Sequence, residues 1–116
     1  MRHEFKTCSL SKPLLTTIQK VKIDIKSLLE MIINEAEILS KSRKMIFHLE
    51  VKENLPPIQA NWESLYLMIY QIVLNAIRFT KDFGSIHVGA RKSSFQDEEI
   101  DNKECLVIYV QDNGMG

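Results

Sequence analysis

The chain has 116 residues, 45% apolar and 26% charged, and its fifteen basic side chains balance fifteen acidic ones. That size and mix suit one folded domain and exclude a disordered chain. With no net charge there is no electrostatic footprint for nucleic acid or an anionic membrane, so any phosphate binding has to come from local geometry. Cys8 and Cys105 are too few and too far apart in sequence for a disulfide framework or a zinc knuckle. The expectation is therefore reduced thiols and a cytoplasmic setting, with Cys105 a buried small hydrophobe. Residues 1–13 are too polar for a secretory signal. The most apolar stretch, Leu65 to Ile77, is too short for a bilayer and is interrupted by Gln71 and Asn75. Any membrane anchor of a parent protein is expected outside this chain.

Residues 1–20 resist classification. Ser11-Lys12-Pro13 marks a break, and Leu14 to Val21 reads as a short helix or a linker. From Ile25 the pattern is clear: Leu28, Leu29, Ile32, Ile33, Ala36 and Leu39 continue one helical face, with Asp24 as N-cap. Lys41, Arg43 and Lys44 place positive charge near the end of that helix. Met45, Phe47, Leu49 and Val51 alternate with polar residues as in a half-buried strand, and Asn54-Leu55-Pro56-Pro57 forms a connector.

Asn61 is placed to cap a second helix from Trp62 to about Thr80, with Leu65, Ile69, Ile72, Val73 and Ala76 turned to the core. Ser85 to Arg91 reads as a strand after Gly84, residues 93–103 as an exposed polar loop, and Cys105 to Val110 as a strand covered on both faces. The order helix, strand, helix, strand, strand predicts a two-layer α/β sandwich with an antiparallel hairpin.

Two segments carry chemistry. Gln71, Asn75, Arg78 and Phe79 share one stripe of the second helix. Mg2+ accepts one or two protein oxygens and keeps its other positions for phosphates and water, a role that one amide oxygen on a rigid helix suits. Arg78 lies a turn further on, where it reaches phosphate oxygens. The bland alternative is an Asn bonded to nearby backbone and a solvated Arg at a helix end. In Asp112-Asn113-Gly114-Met115-Gly116 a carboxylate closes the last strand, placed to accept a hydrogen bond from an exocyclic amino group. Gly114 and Gly116 permit positive φ and close approach of backbone to a flat ligand. The alternative here is an ordinary Asp-Asn-Gly turn.

Together and in this order, the two segments resemble the ATP-binding domain of sensor histidine kinases. That domain is part of the GHKL-type ATPase superfamily, which also holds type II topoisomerases and MutL. Gln71 to Thr80 is similar to the family's N box, and Asp112 to Gly116 to its G1 box. The likeness runs from about Val21 to Gly116, so residues 21–116 are expected to form the N-terminal part of such a domain, an incomplete Bergerat-type ATP-binding fold. The resemblance implies that Asn75 ligates Mg2+, Arg78 contacts phosphate and Phe79 lies against the nucleotide. It further implies that Asp112 recognises the adenine amino group, and that Gly114 and Gly116 shape the base pocket.

Departures from the pattern are specific. Gln71 stands where kinases usually have Asn and hydrolysing relatives have Glu, and an amide cannot act as a general base. Asn61 stands near a frequent Asp. The ATP lid and second glycine box would follow Gly116, so the expectation is a truncated site.

His3-Glu4-Phe5-Lys6-Thr7 resembles the family's phosphoacceptor H box, with His3 as candidate nucleophile and Glu4 to orient it. Cys8 replaces the usual Pro, however, and residues 8–20 are too few for the two-helix dimerisation hairpin. Residues 1–20 are thus a linker or the remnant of a phosphoacceptor segment. The implied activity is γ-phosphoryl transfer from ATP to His, with ATP and Mg2+ as cofactors. The implied partners are a response-regulator receiver domain or the phosphoacceptor helical hairpin of a parent kinase. The alternative is a non-catalytic remnant used for interaction or regulation.

Overall fold

A computed structural model describes residues 2–8, 21–52, 55–92 and 105–113. Its elements in chain order are β1 (Arg2–Cys8), β2 (Val21–Ile23), α1 (Ile25–Leu39), a 3-10 turn (Lys41–Arg43), β3 (Ile46–Val51), β4 (Ile58–Ala60), α2 (Trp62–Phe79), β5 (Ser85–Lys92) and β6 (Cys105–Asp112). Four strands form the main sheet in the order β1-β6-β5-β3, with β3 and β5 parallel and the other pairs antiparallel. β2 and β4 form a separate antiparallel pair. Both helices pack on one face of the main sheet, which makes the two-layer α/β sandwich that the element order predicts.

Each helix starts where a side chain satisfies an orphan backbone N–H. Asp24 Oδ1 accepts from Lys26 N (3.3 Å) and Asn61 Oδ1 from Ser64 N (2.8 Å). The predicted face of α1 is buried except at its last residue: Leu39 is exposed, and the buried stripe passes from Ala36 to Ser40 instead. From α2 the core receives Leu65, Ile69, Val73, Ala76 and Ile77, while Ile72 is only half-buried. Opposite them lie Ile86, Val88 and Ala90 of β5 with Leu106, Ile108 and Val110 of β6. Burying one such aliphatic side chain contributes about 1.5–3 kcal/mol.

Two expectations change. The segment Arg2–Cys8 is an edge strand rather than a linker, held along its length by β6. Moreover, the register sets Cys8 directly opposite Cys105, and the two form a disulfide. The reading of two reduced thiols is therefore corrected. Ninety-seven residues of sequence separate the two cysteines, but antiparallel pairing erases that distance. The loop predicted at 93–103, the helix or linker at 14–21 and the glycines Gly114 and Gly116 lie largely or wholly outside the described residues.

Candidate functional site

The two sequence segments converge at one end of the sandwich. Asp112 ends β6 on its helix-facing side, opposite Ile86 of β5, and is only 5% exposed. α2 packs across β6 from above. At its C-terminus Thr80 is buried, and its hydroxyl donates to the Ala76 carbonyl (2.7 Å). Gly84 sits between the two segments. A Cβ there would clash with the Thr80 methyl, lie 2.9 Å from the Lys81 carbonyl and 3.2 Å from Asn113 Oδ1. The Asn113 N–H donates to the Ser85 carbonyl at 3.1 Å. The end of α2 and Asn113 are thereby held side by side around Gly84.

Gln71, Asn75, Arg78 and Phe79 are all exposed, on the flank of α2 turned away from the sheet. The stripe therefore forms as predicted, with the polar groups available to a ligand rather than sunk in the core. Asp112, by contrast, is buried on the helix-facing side of the sheet, at the end of the strand that α2 packs against. His3 is elsewhere: it is exposed on β1, paired with Val110. It shares the sheet with Asp112 but not the α2 stripe.

Arg43 holds the end of α2 in place, a role its position in the sequence does not suggest. It does not serve the end of α1, whose last turn carries no basic residue. Its guanidinium instead caps α2: Nη1 donates to the Ile77 carbonyl (2.6 Å), Nη2 to the Thr80 carbonyl, and Nε pairs with Asp82 (2.7 Å). A cation belongs there, because the helix dipole and its orphan carbonyls concentrate negative potential at that end. The Arg43 carbonyl in turn accepts from the N–H of Phe83, a residue held at φ 68° with its ring 73% exposed. The left-handed region is uncommon for a bulky side chain, so this turn is fixed by its surroundings. No local signal marks Arg43, since its partners lie 34 to 39 residues away.

The residues fit the cofactors implied by the motifs. No cluster of three His, Cys, Asp or Glu suited to a metal occurs among the described residues, so a full protein cage is not on offer. An exposed amide oxygen at Asn75 matches the sparse protein ligation that Mg2+ accepts when phosphates supply the rest. The close approach that Gly84 permits leaves Asn113 against the α2 terminus beside Asp112.

Among solved structures, the catalytic domain of histidine kinase ThkA superposes with a TM-score of 0.61 at 11% identity, covering 79% of this chain and 95% of that domain. The fold is that of a histidine kinase catalytic domain. Full-length ShkA, solved in complex with AMPPNP, gives a TM-score of 0.62 at 20% identity over 68% of this chain and 17% of its own. In sequence, the chain is 33% identical over 98 residues to an aerobic respiration control sensor protein ArcB homolog of Haemophilus influenzae. That match takes in 80% of this chain but only 26% of the relative, so the chain spans about a quarter of that sensor protein. No family model matches the chain. The histidine kinase resemblance read from the two segments is borne out by these likenesses. Among the described residues no helix is long and apolar enough to cross a membrane.

Proposed function

We propose that this chain carries the adenine-nucleotide site of a sensor histidine kinase. The observation behind this reading is the convergence of a buried strand-end carboxylate, Asp112, with an exposed Asn75–Arg78–Phe79 stripe on the helix packed over the same strand. In this reading Asp112 accepts a hydrogen bond from the adenine amino group, and its burial makes the bond strong because water does not compete. Asn75 offers its amide oxygen to Mg2+, Arg78 pairs with phosphate oxygens, and Phe79 covers the nucleotide. Gly114 and Gly116 would shape the base pocket. Solution of ShkA with AMPPNP supports a nucleotide as ligand for this fold. Bound Mg2+ would neutralise the phosphates and align them for attack.

The activity of the parent protein follows as the same proposal: transfer of the ATP γ-phosphoryl to a histidine, then to a receiver domain. Phosphoryl transfer depends on positioning and charge neutralisation, which Asn75 and Arg78 supply in this scheme. Gln71, exposed one turn before Asn75, has no basic group with which to activate water, which favours transfer over hydrolysis. As for the phosphoacceptor, His3 remains a candidate, with Glu4 beside it. The Glu4 carboxylate, however, is engaged by Arg2 (2.9 Å) and Arg91 (3.8 Å) rather than by His3.

The direct test compares ADP with inosine diphosphate, which lacks the exocyclic amino group, in the presence and absence of Mg2+. Wild-type protein should prefer ADP, Asp112→Asn should lose that preference, and Asn75→Ala should lose the Mg2+ dependence. Equal binding of the two nucleotides by wild-type protein would contradict the role given to Asp112. The second reading, a non-catalytic interaction domain, predicts no nucleotide binding by either the wild-type chain or a longer one.

A further inference from the structure

The disulfide joins an outer strand of the main sheet, β1, to its neighbour β6, and its two sulfurs have different surroundings. Cys105 is 7% exposed and opens the continuous buried run of β6. Cys8 is only half-buried. It lines a cavity of about 270 Å³ that is open to solvent, with Leu65 and Met68 of α2 as apolar wall and Thr7, Asn61 and Ser64 as polar wall. Cys105 does not line that cavity. A reagent entering from solvent therefore meets one sulfur before the other.

Side chains hold β1 only lightly. It sends Phe5 towards the core, where the ring is half-buried, while the links of Arg2 to Gln111 (2.9 Å) and Glu4 to Arg91 (3.8 Å) lie at the surface and stabilise little. The core itself is built by both helices with β5 and β6. A domain of this size with such a core does not need a disulfide to fold, unlike the small disulfide-dense domains. What the bond adds is a covalent tie on one strand.

We propose that Cys8–Cys105 is an exchangeable pair: a low-molecular-weight thiol attacks Cys8 from the cavity, and reduction releases β1 from β6. The incoming thiolate bonds to Cys8 Sγ as the Sγ–Sγ bond breaks, and the electron pair of that bond leaves on Cys105, which takes a proton from water. The product is a mixed disulfide on Cys8 beside a buried Cys105 thiol. A second thiol attacks the external sulfur and frees Cys8, which is protonated in turn. Two external thiols are thereby oxidised to one disulfide, and their two electrons reduce the protein bond. Access decides which sulfur is attacked, because the attacking and broken bonds must lie in line at an exposed atom. Without the bond, β1 opens about thirtyfold more often and leaves β6, the strand ending in Asp112, as the edge of the sheet.

The test uses the oxidised wild-type chain and reduced glutathione. Samples quenched in acid at short times and digested with pepsin show by peptide mass which cysteine carries glutathione. In the folded chain Cys8 should carry it about tenfold more often than Cys105, and in urea, where the cavity and the burial are gone, the two should be labelled about equally. Amide exchange of the oxidised and fully reduced chains should then differ about thirtyfold in β1, with a smaller change in β5. Equal labelling of the folded chain, a Cys8 preference that persists in urea, or β1 exchange indifferent to reduction would each overturn the proposal. So would a chain whose two thiols stay free after incubation with oxidised glutathione. Neither readout depends on nucleotide binding.

Discussion

Arg43 offers the sharpest test of how the α2 terminus is built. Its guanidinium satisfies the Ile77 and Thr80 carbonyls and pairs with Asp82, while its own carbonyl holds the Phe83 turn. A hydrogen bond to a charged group is worth about 1.5–3 kcal/mol and a cation at a helix C-terminus about 0.3–1 kcal/mol. Because the guanidinium is partly exposed, the lower ends apply, and Arg43→Ala should cost about 2–3 kcal/mol. That loss lowers the melting temperature by about 10 °C for a domain of this size. Lysine keeps the charge but not the fork, so Arg43→Lys should cost about 1 kcal/mol. Asp82 is 62% exposed, and Asp82→Ala should cost under about 0.5 kcal/mol. Urea unfolding of the three variants at neutral pH measures all of this. If Asp82→Ala proves as costly as Arg43→Ala, the stabilisation resides in the surface ion pair and the capping argument is wrong.

Three further outcomes follow from particular contacts. Gly89 lies under the Tyr109 ring, and an added Cβ would collide with that ring and stand 2.6 Å from the Glu50 carbonyl; Gly89→Ala should cost about 1–3 kcal/mol in denaturant unfolding. Tyr66 donates to Glu35 across the helices (2.8 Å), and burial first, then that bond and the Glu35 charge, push its pKa up to about 12. A raised tyrosine pKa gives stability that is full below about pH 10 and lost as pH climbs towards 12, of order 1 kcal/mol once solvent screening is allowed for. In Tyr66→Phe that part of the alkaline decline should vanish from the pH profile. Finally, the Cys8–Cys105 bond ties β1 to β6. Reduction, or Cys8→Ser, should cost about 2–4 kcal/mol and speed amide exchange in β1 more than in β5.

Both helices were legible in the sequence because apolar residues repeat at the helical period between clear caps, Asp24 and Asn61. β3, β5 and β6 were legible for a related reason: alternation or a continuous apolar run is a local property. β1 was not, because Arg-His-Glu-Phe-Lys-Thr-Cys has little apolar content and becomes a strand only through its pairing with β6. The same pairing creates the disulfide, so one missed strand produced two wrong expectations. β2 and β4 are three residues each, too short for any period to show. At the site, the α2 stripe and the position of Asp112 could be read from motif spacing, whereas the Arg43 cap required two distant segments to meet. Leu39 shows the limit of periodicity: both i+3 and i+4 continue the stripe from Ala36, and the fold buries Ser40 rather than Leu39.

In the proposed function the α2 stripe and the β6 terminus form one nucleotide site. Titrating nitrogen-15-labelled protein with MgADP and following its amide resonances tests this most directly. Shifts should concentrate at residues 75–80, 84 and 112–113, with the outer face of the sheet around Tyr109 unmoved. Shifts confined to that outer face, or none up to millimolar MgADP, would contradict it.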